Sequence, residues 1–172
     1  MSRTRQWRRW WLVAGLALLL GGCGFHLQTG ATIPPKLTGL RVVGSGPAGG
    51  SLAEAVHREL QRDGNKATPD GPQLQIDNAY VSQRMISISP GSGVAQEFLN
   101  TLHAEFSVIG SDQKVLLAVQ PLLVENSFSY NSATPLGTEE QQTTVQRLLM
   151  EQGARQILRQ VLNSPSFRQQ AP

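Results

Sequence analysis

The apolar positions between Leu37 and Leu162 change period several times, and each change marks an element. Leu37, Leu40, Val42 and Val43 crowd together as a short buried strand, and the glycine-rich stretch Gly44 to Gly50 reads as a loop. Ser51-Leu52-Ala53-Glu54 has the form of a capping box. Leu52, Val56 and Leu60 then recur every fourth residue, and Gly64 stands where a helix C-cap belongs. After the Pro69 to Pro72 loop the period becomes two. Leu74, Ile76, Tyr80, Ile86 and Ile88 share even parity, and Gln73, Gln75, Asp77, Gln83, Ser87 and Ser89 fill the other face. Beyond the Pro90-Gly91-Ser92-Gly93 turn a second alternating run sets Val94, Phe98, Leu102, Ala104, Phe106 and Val108 against Glu97, Thr101, His103, Glu105 and Ser107. Gly110 to Gln113 turns the chain into Val115 to Tyr130, where Pro121 demands an edge position or a bulge. Thr138 with Gln141 forms a second capping box. It opens a helix to about Leu162 whose apolar stripe is Val145, Leu148, Leu149, Ala154, Ile157, Leu158, Val161 and Leu162, with Asn163-Ser164-Pro165 as its stop.

The order β-α-β-β-β-α predicts an α+β fold: a two-layer sandwich with two helices packed on one face of a four-stranded mixed sheet. The other sheet face is polar. The expected organisation is a signal peptide over residues 1–22, a lipid-anchored tether over 23–36, a single domain over 37–164 and a short flexible tail over 165–172.

The first segment has the order of a bacterial export signal: Arg3 to Arg9, an apolar stretch from Trp10 to Leu20, then Leu20-Gly21-Gly22-Cys23. As a helix that stretch spans only about 17 Å, against a hydrocarbon core of about 30 Å, so it is too short to cross a membrane. The small residues before Cys23 resemble the lipobox of bacterial lipoproteins. In that family the cysteine becomes the first residue of the mature chain and is acylated, and each buried CH₂ contributes about 0.8 kcal/mol to membrane attachment. Gly24 rather than Asp follows the cysteine, which in that family implies sorting to the outer membrane, facing the periplasm.

Composition then removes function classes. The chain has 172 residues with 15 Lys and Arg against 12 Asp and Glu. Four of the arginines lie within the first nine residues, so the remainder carries 11 basic and 12 acidic groups, a net of −1. Nucleic-acid binding, which needs phosphate-neutralising cations on one surface, loses its support. A single cysteine excludes an internal disulfide. His26, His57 and His103 have no metal-ligand spacing, and no G-x-S-x-G elbow is present. Gly44-Ser45-Gly46-Pro47-Ala48-Gly49 is a literal G-x-G-x-x-G, but Pro47 removes an N–H from the would-be phosphate cradle, and Asp63 falls at a helix end instead of a strand end. It reads as a glycine-rich loop, and no cofactor or metal is expected. Glu139 and Glu140 sit in a first helical turn, where negative charge suits the dipole. The chain past Cys23 is weakly charged and rich in Gln, Ser and Thr, a surface that can be buried against a polar wall without the desolvation cost of ions.

Several stretches together resemble the family of LPS-assembly lipoproteins, LptE: Cys23-Gly24-Phe25-His26-Leu27, the helix Leu52-Ala53-Glu54-Ala55-Val56-His57-Arg58-Glu59-Leu60, and Gly153-Ala154-Arg155-Gln156-Ile157-Leu158. The resemblance implies a non-enzymatic outer-membrane lipoprotein. It would plug and help assemble the LptD β-barrel as a 1:1 complex, contact lipopolysaccharide, and hold to the inner leaflet through its anchor. The family's basic positions for lipopolysaccharide have no counterpart in Ser89 to Gly93 or Thr134 to Gly137, which lack Lys and Arg. Arg84 and Lys114 are the remaining candidates for lipopolysaccharide contact. Phe128 and Tyr130, two aromatics in Asn126-Ser127-Phe128-Ser129-Tyr130-Asn131, are the candidates for barrel contact, the alternative being a strand end that tucks Phe128 into the core. Two other classes stay open: a periplasmic carrier of acyl chains, which requires an apolar cavity between sheet and helices, and a small periplasmic hydrolase. Mass spectrometry of the protein from membranes should give a chain beginning at Cys23 with added acyl mass; an unmodified N-terminus would overturn the anchor.

Overall fold

The computed structural model describes residues 33–88, 95–129 and 135–168. The signal-like segment, Cys23 and the tether up to Thr32, the Pro90 to Gly93 turn with Val94, and Tyr130 to Thr134 fall outside them. A 3-10 turn at Pro35–Leu37 leads into β1 (Arg41–Gly44), α1 (Gly49–Arg62), β2 (Gln73–Ile88), β3 (Ala95–Ile109), β4 (Val115–Ser129), α2 (Pro135–Asn163) and α3 (Pro165–Arg168). The sheet order is β1-β2-β3-β4. The first pair is parallel and uses α1 as its crossover, and the other two pairs are antiparallel. This is the mixed four-stranded α+β sandwich that the periodicity predicts. Pro121 lies in β4, the outermost strand, where a missing N–H costs least. Gln120 Nε2 donates to the carbonyls of Ala118 and Val119 on the same strand, at 3.3 and 3.1 Å.

One continuous core joins the layers. Leu52, Ala55, Val56 and Leu60 of α1, with Leu149, Ala154, Ile157 and Val161 of α2, bury against Leu74, Ile76, Ala79, Leu102, Ala104, Phe106, Val108, Leu122 and Val124 of the sheet. Both helices therefore lie on one face. Gly153 lets α2 approach closely: a Cβ there would lie 2.8 Å from Leu102 Cδ2 and 3.1 Å from Leu52 Cδ1. Pro165 to Arg168, expected as part of a flexible tail, form a helical turn that buries Phe167 in this core. Leu37 likewise lies in it, and Ile33, within the segment expected to be tether, packs against it.

Two helix starts differ from the capping-box expectation. Helix α1 begins at Gly49, with Ala48 as a cap that makes no side-chain bond, and Ser51 lies one turn inside. Helix α2 begins at Pro135, which puts Thr138 and Gln141 in its interior. In both cases tertiary contacts at the preceding loop, or a proline suited to a first turn, set the start. The C-terminus of α1 does follow expectation. Gly64 has φ 83°, its N–H donates to Gln61 O at 3.0 Å, and Asn65 N–H reaches Leu60 O at 2.9 Å, a Schellman closure. Asn65 is buried beyond it. Its Nδ2 donates to Leu40 O at 3.0 Å and its Oδ1 accepts from Gly39 N–H at 3.1 Å, tying the helix end to the entry of β1.

The even parity assigned to β2 holds only up to Ile76. The ladder shifts between Asp77 and Tyr80, and Asn78 takes φ 53°, a bulge that adds one residue and exchanges the faces. Ala79 becomes fully buried, while Tyr80, Ile86 and Ile88 are exposed. The β1–α1 loop docks on this bulge: Ser45 N–H donates to Ile76 O at 2.8 Å, Ala79 N–H to Ser45 O at 3.2 Å, and Ala48 N–H to Ala79 O at 2.9 Å. Gly46, at φ 88°, lies so close to Ala79 that a Cβ would meet its carbonyl oxygen at 2.6 Å. The glycines of the G-x-G-x-x-G stretch thus serve this packing, and its amide donors at Ser45, Ala48 and Gly49 bond within the chain.

Two substitutions test this arrangement by urea unfolding. Asn65→Ala leaves Gly39 N–H and Leu40 C=O without their buried partner and should cost about 2–4 kcal/mol. Gly153→Leu should cost about 1–3 kcal/mol or more through overpacking. An unchanged midpoint for either would contradict the contacts described.

Candidate functional site

The face of the sheet opposite the helices is covered by none of the described residues, and its side chains are fixed by pairing across strands. At its centre the rings of Tyr80 and His103 stack, with centroids 4.7 Å apart and planes 12° from parallel. Leu123 stands opposite His103 on β4 and is 54% exposed. The bulge at Asn78 is what turns Tyr80 outward into this row. Below it Asn78 Nδ2 donates to Glu105 Oε2 at 3.1 Å, and Ser45 Oγ donates to Asp77 Oδ1 at 2.9 Å. Above it Thr101 Oγ1 donates to Glu125 Oε1 at 3.3 Å. Three carboxylates of this face, Asp77, Glu105 and Glu125, are thus held by neutral donors. The result is an ordered, open surface of hydroxyls, amides and carboxylates crossed by one aromatic and aliphatic row.

Ser82 Oγ and His103 Nε2 also meet there, at 3.2 Å. A nucleophile needs a base oriented by a third group, and oxyanion donors around a substrate cleft. This pair stands on a flat strand surface, and no carboxylate contact to His103 occurs among the described residues, so the geometry provides cross-strand pairing. His57 pairs along α1 with Gln61 Nε2 at 2.9 Å. No cluster of three or more His, Cys, Asp or Glu able to hold a metal occurs among the described residues, and none of their helices is long and apolar enough to cross a membrane.

The candidate residues named from sequence are dispersed. Cys23 and Tyr130 lie outside the described residues. Phe128 is 6% exposed and stacks on Phe98 with centroids 5.5 Å apart, on the helix side of the sheet near its end. Arg84 is exposed on the open face, opposite Leu99. Lys114 stands at the other end of the sheet, 2.9 Å from Asp112. That hydrogen-bonded pair lowers the Asp112 carboxyl below its ordinary range and raises the Lys114 ammonium above its own. Leu99 pairs with Ser127, thirteen residues along β4 from Lys114, so at about 3.3 Å per residue the two cations are about 40 Å apart. They cannot grip one headgroup together.

Core side chains from both layers pack together in one cluster. A groove of about 500 Å³ runs along the surface between the start of α1 and the middle of α2, and Ser51, Glu54, Arg58, Thr143, Gln146 and Arg147 make most of its lining. That lining is unlike the apolar cavity an acyl-chain carrier requires. Sequence reading missed the central row because parity placed Tyr80 inward. The signal was there: Asp77-Asn78 puts two polar residues in succession where strict alternation allows one.

Comparison with known proteins agrees with this architecture. The LptE family profile, described as lipopolysaccharide-assembly, matches residues 37–161. A protein of Photorhabdus laumondii named LPS-assembly lipoprotein LptE is 30% identical over 158 residues, covering 88% of this chain and 84% of its own. One of the same name from Yersinia pestis is 32% identical over 161 residues, covering 88% and 74%. Among solved structures, a lipoprotein B from Nitrosomonas europaea superposes with a TM-score of 0.59 at 20% identity, over 77% of this chain and 90% of that one. The rare lipoprotein B of Shewanella oneidensis gives 0.57 at 18%, over 71% and 92%. These likenesses carry the fold, and the family match together with the curated relatives carries the kinship: the chain belongs to the LptE family of lipopolysaccharide-assembly proteins.

Proposed function

We propose that this protein is an outer-membrane lipoprotein, anchored through Cys23 and facing the periplasm, that plugs the LptD β-barrel as a 1:1 partner, helps it assemble, and contacts lipopolysaccharide. Its role is to fill space and order a partner, not to make or break bonds. The observation that carries this reading is the open sheet face, where Tyr80, His103 and Leu123 form an apolar row within neutral and acidic hydrogen-bonded groups. The lumen of an outer-membrane barrel is polar, and a face rich in hydroxyls and amides pairs with such a wall at little desolvation cost. An anchor in the adjoining leaflet would hold plug and barrel at high effective concentration.

Arg84, on that same face, is the better placed cation for a lipopolysaccharide phosphate; Lys114 is already engaged by Asp112. Barrel contact at the far end of β4 would fall to the Phe128 to Tyr130 segment. Phe128 would act there by fixing the strand end through Phe98, and Tyr130 by direct contact.

Co-purification from detergent-solubilised outer membranes tests the reading. The wild-type chain should bring down one large barrel protein in equal amount. The double variant Tyr80→Glu/Leu123→Glu should keep its circular dichroism spectrum but lower barrel recovery about tenfold or more, because two unpaired charges would be buried at the centre of the contact. Recovery of the wild-type chain alone would overturn the plug; undiminished recovery of the double variant would move the contact off this face.

A further inference from the structure

The end of the sheet nearest residue 33 holds a second, different site. Here β1 and β2 begin and β3 ends, and a groove of about 390 Å³ opens between Arg41, Asp70, Gln73, Gln75, Ser111 and Gln113, with Pro69, Gly71, Ile109 and Gly110 completing it. Its walls are tied down by backbone bonds: Arg41 N–H to Pro72 O at 2.8 Å, Gly71 N–H to Thr68 O at 3.0 Å, Gly110 N–H to Lys114 O at 2.8 Å and Gln113 N–H to Gly110 O at 3.0 Å. The guanidinium of Arg41 is poorly satisfied in it. Nε is buried with no hydrogen-bond partner, and Nη2 makes only a 3.5 Å contact to Gln73 Oε1. No carboxylate lies within ion-pair distance of Arg41 among the described residues, and Asp70, on the same groove, has no cation within that distance either.

A half-buried guanidinium whose Nε has no hydrogen-bond partner and which has no counter-ion among the described residues is suited to an external anion. Asp70, exposed on the rim of the same groove, offers its carboxylate to a donor-bearing cation. No ion pair joins the two, so a ligand that links one phosphate to one primary ammonium can meet both, with the glutamine amides and the Ser111 hydroxyl on the same lining available to its ester oxygens. A quaternary ammonium fits worse. It has no N–H to give Asp70, and the lining contains no aromatic ring to cradle it. A purely anionic headgroup would meet Asp70 unfavourably. We propose that this groove binds the phosphoethanolamine group, whether carried on a lipid or free. The position fits the lipid source. Exposed Lys36 and Lys66 flank the same end of the fold, and only nine residues separate Cys23 from Ile33, a reach of at most about 30–36 Å from an acylated terminus.

The test is amide chemical-shift titration of the full mature chain in a non-ionic detergent, with four probes: glycerophosphoethanolamine, dihexanoyl-phosphatidylethanolamine, glycerophosphocholine and glycerol phosphate. The two ethanolamine probes should shift the Gln73, Gln75 and Gly110 resonances saturably, and glycerophosphocholine should bind about tenfold more weakly. Equal affinity for the free and the short-chain probes supports recognition of the headgroup alone; tighter binding of the short-chain lipid supports the lipid as source. Arg41→Gln and Asp70→Asn should each weaken glycerophosphoethanolamine about tenfold, and Asp70→Asn should strengthen glycerol phosphate. Asp70 lies on an exposed loop, so its variant keeps the test sound if Arg41→Gln disturbs β1. No saturable shift with either ethanolamine probe, equal binding of glycerophosphocholine, or an Asp70→Asn chain with unaltered preferences would overturn the site. Neither acylation nor a barrel partner enters this measurement, so its failure leaves the plug reading standing.

Discussion

A helix rises 1.5 Å per residue and a strand about 3.3 Å, and that mismatch shapes this molecule. The 14 residues of α1 extend about 21 Å, whereas the 16 residues of β2 extend about 53 Å. The crossover helix can therefore cover only the first part of its strand. The 29 residues of α2 extend about 43 Å and run beside β3 and β4 for most of their length. Burial follows these lengths: β2 is packed up to Val81 and exposed along most of Ser82 to Ile88, while β4 keeps buried positions as far as Phe128. With both helices on one face, the other face of three long strands is left uncovered by the described residues.

The bulge at Asn78 turns that geometric remainder into a surface. Without the added residue, the outward row would carry Ala79 in place of Tyr80, and the stack on His103 could not form. The same bulge gives the β1–α1 loop its seat, through Ser45, Ala48 and Ala79. One irregular residue thus links the start of α1, on the core side, to the centre of the open face. The glycine pattern that looks like a phosphate cradle in sequence is part of this linkage.

Charge divides the molecule in a way that suits two contacts. On the open face Asp77, Glu105 and Glu125 accept from the neutral donors Ser45, Asn78 and Thr101 respectively, and Arg84 adds one exposed cation. The end near residue 33 has Arg41 and Asp70 without ion-pair partners among the described residues, and exposed Lys36 and Lys66 beside them. A polar wall and a charged headgroup layer ask for these two different surfaces. Both follow from which ends of the strands the fold brings together.

Element order, the helical stripe from Val145 to Val161, the C-cap at Gly64 and the edge position of Pro121 were legible in the sequence, because each depends on neighbours within a few residues or on a steric property of one residue type. The export signal and Cys23 are read from equally local pattern, and they lie outside the described residues. The true helix starts, the exchange of faces at Asn78, the burial of Phe167 and the groove around Arg41 were not, and the sequence left Phe128 open between core and barrel contact, because in each the deciding partner is distant in sequence. Ala79 meets Ser45 and Ala48, Phe128 meets Phe98, and Arg41 meets Gln73 and the turn after Ile109. Periodicity records which side chains avoid water; only the assembled sheet determines which strand positions water can still reach, since that depends on how far each helix extends over it.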